Sequence, residues 1–425
     1  MGTNFPTSLD ALTNPTGSSA LTSPDHATQH ADANDAIEAL QSKVGVNGSA
    51  VTSSLDYKVT NGIMSALNVD SGTLYVDATN NRVGVNNTIP SYPLDVTGTT
   101  QSTQFLQGTD YLSPYQGFRN KIINGDFSIW QRDSIASFSS TPYIGTADRW
   151  YHASNVPFGN AYVSREILAP GTIPGYDAQY FFGSINYYNQ ANVFSQRIED
   201  VRTLAGRTVT LSFWVNNFGY GSTFITSSLT QNFGTGGSTA VQTNFSNVTT
   251  TSGWSRVSRT LTLPSISGKT VGANSYLQLT LNTNGHYFVG IAGVQLEQGS
   301  VATPFEQRSL GVEQFLCDRY YQAYKGDATN INQIGFGNGY NATSVYPQVK
   351  LRQQMRVKPT AITFGSLRVN DVTSAINVTN AVLEQSGVDG CRINCTIASG
   401  GVQYRGYGLE TQATASAVLG FSAEL

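Results

Sequence analysis

The chain is poor in charge. Asp, Glu, Lys and Arg supply only 12% of its 425 residues, and the formal net charge is −3. Globular proteins carry about twice that share of charged residues. The near-neutral balance excludes the basic surface that nucleic-acid or anionic-membrane binding requires, so we expect no nucleic-acid partner.

Long apolar runs are also missing. No stretch of about 18 apolar residues occurs, so the pattern predicts no transmembrane helix and no membrane insertion. The N-terminus lacks a basic segment followed by an apolar stretch, and the sequence therefore predicts no signal peptide.

Cysteine is scarce, with only Cys317, Cys391 and Cys395 present. In an extended chain, Cys391 and Cys395 are roughly 13 Å apart at about 3.3 Å per residue, which is too far for a disulfide. We predict that all three are reduced or buried.

The usual catalytic motifs are absent. The chain has four His residues and no GxSxG, HExxH or P-loop motif. Cleavage of a glycan requires paired carboxylates, and the best available pair is Asp126 with Asp148. The sequence predicts a protein that is not an enzyme.

Gly, Tyr, Phe, Ser, Thr and Asn are abundant instead, which predicts a mainly β fold with many turns. Apolar and polar residues alternate through 209–216 and again through 276–281, and Asn284-Gly285 predicts a hairpin turn after the second run. The predicted organisation is an extended segment 1–24, a coiled-coil helix 25–45, a β-rich stem 46–117, a β-sandwich 118–310, a helical linker 311–325 and a second, smaller β-sandwich 326–425.

Spacings of three and four predict the short N-terminal coiled coil, which Gly45 ends. An amphipathic helix packed on its own chain is the alternative. In a parallel trimer the seam histidines would form either a polar layer that sets the register or a site for a metal or anion. The seam positions are His26, His30, Ala33, Ile37, Leu40 and Val44.

The predicted stem has too few apolar residues for a monomeric core. It contains short strand-like runs at 73–77 and 82–86, separated by Gly, Asn and Pro. A segment that cannot form its own core must borrow surface from copies of itself, so the stem favours an intertwined homotrimer.

Strand alternation also identifies candidate carbohydrate-binding residues. Trp214 and Thr210 fall on the polar side of their strand, and we expect Tyr276, Gln278 and Thr280 on a neighbouring strand. Sugars stack on aromatic rings and bond to planar polar groups. Loops covering this face would instead make Trp214 a core residue. Tyr187 and Tyr188 form a second candidate, as an exposed binding loop or a subunit interface.

Several phrases, taken in order, resemble bacteriophage virion fibres that carry a jelly-roll carbohydrate-binding-like module. They are GFRNKIINGDFSIWQR at 117–132, ADRW at 147–150, LSFWV at 211–215 and GVQLEQGSVATPFE at 293–306. Residues 72–98 resemble the stem repeats of tail fibres, and CDRYYQ at 317–322 and AEL at 423–425 also resemble such proteins.

The resemblance implies a homotrimeric tail fibre or head fibre on the outside of a virion, assembled in the host cytoplasm. Residues 1–24 would dock on a phage tail or capsid protein, and the distal modules would bind host surface polysaccharide without cleaving it. The alternatives are a mainly structural head fibre or decoration protein and a depolymerase tailspike. The resemblance also implies a structural Ca²⁺ near Gly125, Asp126 and Glu297.

Overall fold

The computed structural model describes two compact units, Met1–Thr103 and Gln104–Leu425. The described residues are 22, 26–47, 50–61, 66–69, 73–98, 105–107, 110–112, 118–132, 135–137, 147–154, 161–187, 191–220, 224–284 and 288–425. Apart from Thr22, the predicted docking segment 1–24 lies outside them.

The first unit begins with the predicted helix, α1 (His26–Val44), which the structure confirms. Gly45 ends it with a φ of 85°, and its amide donates to the carbonyl of Gln41 at 2.7 Å. No residue of α1 is buried, and the predicted seam residues Ile37, Leu40 and Val44 are 53, 52 and 48% exposed. The large apolar side chains of the seam are therefore left about half exposed in this chain.

A second helix, α2 (Leu55–Thr60), lies within the predicted stem, where the sequence pattern indicated no helix. The prediction was wrong because a helix of 6 residues is less than two turns long, which is too short to show a helical period in the sequence. The local signal is the cap: the hydroxyl of Ser54 accepts from the amide of Tyr57 at 3.2 Å, and Asp56 lies in the first turn.

The predicted strand-like runs of the stem are confirmed as part of a four-stranded sheet. Ile89, Tyr92 and Leu94 nevertheless remain largely exposed, as expected for a segment without its own core. The strands follow the order β1 (Ala66–Val69), β2 (Leu74–Asp77), β3 (Arg82–Val85), β4 (Leu94–Val96), with β3 and β4 parallel.

The second unit contains a β-sandwich, as predicted for 118–310. Its first sheet, sheet I, has the order β16-β12-β18-β10-β9-β7, and its second, sheet II, has the order β14-β13-β17-β11-β8, with β15 paired to β13. Two further strands, β5 (Phe105–Gln107) and β6 (Asp110–Leu112), pair with each other. The sandwich strands are β7 (Ile135–Ser137), β8 (Tyr151–Ser154), β9 (Ala161–Ile167), β10 (Tyr180–Asn186), β11 (Asn192–Glu199), β12 (Thr208–Asn216), β13 (Phe224–Asn232), β14 (Val241–Asn244), β15 (Val248–Thr249), β16 (Ser255–Thr262), β17 (Tyr276–Asn284) and β18 (Phe288–Gln298).

Alternation fills the space between the two sheets. On β12 the alternate residues from Val209 to Val215 are buried in the main core, as the sequence predicted. From the facing sheet, β17 contributes Leu277, Leu279 and Leu281 to the same cluster. A period of two therefore assigned the inward face of both strands correctly.

The hairpin predicted at Asn284-Gly285 is wrong. Strand β17 pairs with β11 and β13, whereas β18 pairs with β10 and β12. The connection therefore crosses from sheet II to sheet I. Burial explains the choice, because both strands carry an apolar face that must point into the same core from opposite sides.

The segment predicted as a helical linker, 311–325, is helical only in its first part. Helix α3 (Leu310–Asp318) is followed by strand β19 (Tyr321–Lys325). Glu313, Cys317 and Asp318 on α3 are buried. Because β19 pairs with the last strand of the chain, the segment is an integral part of the packing.

The C-terminal module is a closed barrel and not the predicted β-sandwich. Six strands close in the order β20-β21-β25-β24-β23-β26, and β19-β27-β22 form a separate three-stranded sheet. Closure leaves no open sheet edge on this module's barrel. The strands are β20 (Gln333–Asn341), β21 (Ser344–Lys350), β22 (Ala361–Gly365), β23 (Leu367–Asn370), β24 (Ala375–Ser386), β25 (Gly390–Ile397), β26 (Gly406–Thr411) and β27 (Val418–Ser422).

Buried polar contacts join the sandwich to α3 and the barrel module. The amide nitrogen of Gln131 donates to Asp148 at 2.7 Å, to Asp318 at 3.1 Å and to the Tyr321 carbonyl at 2.8 Å. Its oxygen accepts from Arg352 at 2.9 Å. Gln131, Asp148, Asp318 and Tyr321 belong to the sequence phrases at 117–132, 147–150 and 317–322, which therefore meet at one junction.

The three cysteines are free and buried, as predicted. Among the residues described, no helix is both long enough and apolar enough to cross a membrane.

Candidate functional site

Trp214 does not lie on an open face. It is on the outer side of sheet I, as alternation predicted, but only 7% of it is exposed. Residues 168–178 cover it, and the ring of Tyr176 lies 4.6 Å from its ring, centroid to centroid. Trp214 and the covering residues belong to a second apolar cluster, separate from the main core. Its other members are Leu168, Ile173, Tyr176, Ala178, Phe181 and Ala292. Trp214 is therefore a core residue, and the expectation of an exposed sugar platform there is corrected.

Thr210 is equally inaccessible. Its hydroxyl lies 2.9 Å from that of Thr260 and 2.8 Å from the carbonyl of Gly299, and the residue is buried. The strand carrying Tyr276, Gln278 and Thr280 is β17, which belongs to sheet II and not to the sheet of β12. The five residues predicted to share one face are thus divided between opposite faces of the sandwich.

Tyr276, Gln278 and Thr280 do share one outward face, that of sheet II. Registered pairs place Thr280 between Ser195 on β11 and Ser228 on β13, and Ser228 opposite Asn244 on β14. The next row places Gln278 between Arg197 and Thr230. We call the surface formed by Ser195, Thr230, Asn244, Tyr276, Gln278 and Thr280 the polar face.

Hydrogen bonds order the centre of the polar face. The Nε of Arg197 donates to the amide oxygen of Gln278 at 3.3 Å, and the amide nitrogen of Gln278 donates to the hydroxyl of Thr280 at 3.1 Å. The guanidinium of Arg197 lies between two rings, 4.7 Å from the centroid of Tyr151 and 4.8 Å from that of Tyr276. The ring of Tyr276, the amide of Gln278 and the hydroxyl of Thr280 are therefore held in place by these contacts.

The sequence did not identify Ser195, Thr230 or Asn244 as members of this face, nor Arg197 beside it. No local pattern states that β11, β17 and β13 are neighbours, since the pairing joins distant parts of the chain.

The second aromatic candidate is only partly described. Tyr187 is exposed, and its hydroxyl lies 2.9 Å from the hydroxyl of Tyr162, while the two rings are 5.9 Å apart. Tyr188 lies outside the described residues. The expectation of a binding loop or interface here stays a prediction.

The calcium site implied at Gly125, Asp126 and Glu297 stays an expectation, and its two carboxylates form hydrogen bonds within the chain. Both carboxylate oxygens of Glu297 are bonded to Thr303, at 2.9 Å to its amide and 2.6 Å to its hydroxyl. Asp126 accepts from the hydroxyl of Ser128 at 3.0 Å, and burial raises its pKa. Nowhere in the described part of the chain do three or more His, Cys, Asp or Glu side chains form a group that could hold a metal ion.

The carboxylate pair considered for glycan cleavage serves the packing. Asp148 is fully buried, accepts from the backbone and side chain of Gln131, and lies 4.0 Å from Arg132. Burial raises the pKa of Asp148 to about 6. The other member of the pair, Asp126, accepts a hydrogen bond from the hydroxyl of Ser128. Asp148 is thus held at the junction with the barrel module and not in a cleft.

The two seam histidines contact each other along α1. Their Nε2 atoms are 3.1 Å apart and their rings meet edge to face at 4.5 Å. The structure describes one chain, so the predicted rings of three imidazoles stay a prediction.

No protein-family model matches this chain, and a search of curated proteins found no match. Three solved structures are similar to parts of this chain at low sequence identity. The CBM22-1–GH10 modules of Clostridium thermocellum xylanase 10B, complexed with xylohexaose, match at 13% identity and a TM-score of 0.27, covering 38% of this chain and 28% of that chain. TmCBM61, complexed with β-1,4-galactotriose, matches at 14% identity and a TM-score of 0.26, covering 42% and 99% of the two chains. The enzymatically active domain of bacteriophage CBA120 tailspike protein 4 matches at 15% identity and a TM-score of 0.26, covering 43% and 22%. TM-scores this low establish neither a shared fold nor a shared function.

Proposed function

We propose that this protein is a non-catalytic fibre adhesin that binds carbohydrate through the polar face of its sandwich. The observation that carries the proposal is the registered set of hydroxyl and amide side chains around Gln278 and Thr280, with Tyr276 beside them. It is an outward sheet surface whose polar groups are already ordered by Arg197.

Sugar recognition needs this combination of groups. Amides and hydroxyls donate and accept at once, which matches the mixed donor and acceptor character of sugar hydroxyls. An aromatic side chain supplies rigid apolar area for the C–H face of a sugar at a low entropy cost. Because Arg197 holds Gln278, and Gln278 holds Thr280, ordering on binding costs less than it would for free side chains.

Self-association is the second part of the proposal. Helix α1 buries no residue, although Ile37, Leu40 and Val44 repeat at seam spacing. A parallel homotrimer would cover these side chains, and it would also cover the exposed apolar residues of the stem at Ile89 and Leu94. Three copies of the polar face in one particle would strengthen weak individual binding by avidity.

The assignment to a phage virion rests on the sequence resemblance. Residues of its phrases meet at the junction of sandwich, α3 and barrel, where the amide nitrogen of Gln131 donates to both Asp148 and Asp318. We propose that residues 1–24 attach the fibre to a phage tail or capsid protein, and that the second unit contacts host surface polysaccharide. The protein would then be an external virion component.

The proposal is tested by glycan binding to the full-length protein. A printed panel of bacterial surface polysaccharides serves as the probe, and the paired change Gln278→Ala with Thr280→Ala removes the centre of the polar face. We expect at least a tenfold loss of affinity for the polysaccharide that wild type binds. The matched control is Gln307→Ala, which removes an exposed glutamine outside this face.

Unchanged binding by the folded double variant would overturn the role of the polar face. Release of reducing ends from a bound polysaccharide would overturn the non-catalytic assignment and favour the depolymerase tailspike. Failure of wild type to bind any polysaccharide on the panel would favour a structural decoration protein.

A further inference from the structure

The barrel carries a cleft that the polar face of the sandwich does not involve. Its volume is about 490 Å³, and it opens on the outer surface where β24 turns into β25. The side chains that matter for recognition are those of Gln348, Lys350, Gln385, Asp389 and Arg392, which all line it. We call this the barrel cleft.

Strand register brings three planar polar groups side by side in the barrel cleft. Arg392 on β25 lies opposite Gln348 on β21 and opposite Gln385 on β24. A bulge between Leu383 and Gln385 interrupts the β24 ladder at this point. Bulges redirect side chains, and here the two consecutive residues Glu384 and Gln385 are both exposed.

The charges of the barrel cleft are balanced. Lys350 pairs with Asp389 at 3.1 Å, and Arg392 lies 3.6 Å from Glu384. Each cation thus has its own carboxylate. The cleft has no excess positive charge with which to select an anionic ligand, and its two amides are the groups that suit a neutral polyhydroxylated one.

Aromatic rings continue from the barrel cleft along the same outer surface. The guanidinium of Arg392 lies 5.8 Å from the ring centroid of Tyr346, and the ring of Tyr340 meets that of Tyr346 edge to face at 5.3 Å. Tyr340 is 59% exposed. An exposed ring next to a row of amides gives both elements of sugar binding, an apolar stacking surface and hydrogen-bonding groups.

Two polar side-chain atoms on the strand of Arg392 have no hydrogen-bond partner among the described residues. They are the Nε of Arg392 and the amide oxygen of Asn394, both on β25 and both buried. Buried polar atoms without partners are uncommon because they lose their hydration without compensation. Arg392 lines the cleft, so its Nε–H can donate to a ligand hydroxyl once the side chain turns toward it.

We propose that the barrel cleft is a second carbohydrate-binding site, which binds a neutral oligosaccharide independently of the polar face. Gln348, Gln385 and Arg392 bond to sugar hydroxyls, and Tyr340 stacks on a sugar ring further along the chain. The protein then holds host polysaccharide at two places on its second unit.

The test uses the full-length protein and a defined panel of tetrasaccharides. The panel contains neutral gluco-, galacto-, manno- and xylo-configured tetrasaccharides and one uronate tetrasaccharide, each titrated by calorimetry. The cleft variant combines Gln348→Ala with Gln385→Ala, two exposed side chains whose removal leaves the barrel core intact. Gln307→Ala is again the matched control, and Tyr340→Ala tests stacking separately.

We expect a neutral tetrasaccharide to bind wild type and the control equally, and to lose at least tenfold in affinity in the cleft variant. We also expect the same tetrasaccharide to keep binding at the barrel cleft in the polar-face variant, Gln278→Ala with Thr280→Ala. That result would separate this proposal from the proposed function. Unchanged binding in the folded cleft variant, binding of the uronate tetrasaccharide alone, or no binding to any neutral tetrasaccharide would overturn it. Concentration-dependent association that the cleft variant abolishes would show that a second copy of the chain occupies the cleft, and would overturn it too.

Discussion

The guanidinium of Arg149 lies 3.4 Å from the centroid of the Tyr320 ring, and both residues are buried. Arg149 also forms an ion pair with Glu424, next to the last residue of the sequence, and donates to the carbonyl of Arg197 at 2.6 Å. One buried cation thus links the sandwich, the end of α3 and the C-terminal strand region.

Replacement of this cation should loosen the whole second unit. We expect Arg149→Ala to lower the free energy of unfolding by about 3–5 kcal/mol, because it leaves the partly buried Glu424 with less compensation. Denaturant titration of the full-length protein measures this. The control Arg202→Ala breaks an exposed pair with Asp200 and should cost only about 0–1 kcal/mol. Equal effects of the two substitutions would contradict the role assigned to Arg149.

Asp148 should make stability fall as pH rises. Its folded pKa of about 6 lies above its ordinary value of 3.8, so the folded state holds a proton that the unfolded state has already lost. The stabilisation is complete below pH 3.8 and is lost as pH rises through about 6. The loss is at most about 3 kcal/mol, at 1.36 kcal/mol per unit.

His152 has the opposite pH dependence, because burial lowers its pKa to about 3 and stability falls as pH drops below its ordinary 6.5. The Asp148 contribution is therefore measured as a difference. We expect the free energy of unfolding of wild type, minus that of Asp148→Asn, to decrease between pH 4 and pH 7. A constant difference across that range would show that the carboxyl of Asp148 titrates normally in the folded protein.

Trp214 should matter for stability and not for sugar contact. Because residues 168–178 cover it, Trp214→Ala should cost about 3–5 kcal/mol of unfolding free energy. Trp214→Phe should cost less, since a ring still fills the space beside Tyr176. Thermal denaturation separates the two variants. A fully stable Trp214→Ala protein with weakened polysaccharide binding would restore Trp214 as a contact residue.

The exposed seam of α1 predicts that its apolar residues hold the chains together. We expect Ile37→Asp with Leu40→Asp to reduce the sedimenting mass from trimer to monomer at micromolar concentration, because buried unpaired carboxylates oppose association. Ser42→Asp, on the same helix but off the seam, should leave the mass unchanged. A monomeric wild-type protein at that concentration would contradict the trimer.

Local periodicity accounts for the parts of the fold that the sequence predicted. Spacings of three and four placed α1, and Gly45 ended it through a positive φ that glycine adopts readily. Alternation assigned the buried faces of β12 and β17, because successive side chains of a strand point to opposite sides. The outward positions of Tyr276, Gln278 and Thr280 followed from the same rule.

The sequence by itself therefore determined the mainly β character of the fold, the apolar side of β12 and β17, and that the cysteines stay free. Only the tertiary structure decided which strands are neighbours. It sent β17 and β18 to opposite sheets, covered Trp214 with residues 168–178, and closed the last module into a barrel. The physical reason is range: a side chain's direction is set by the dihedral angles of its own strand, whereas its neighbours and its burial depend on packing between segments distant in sequence.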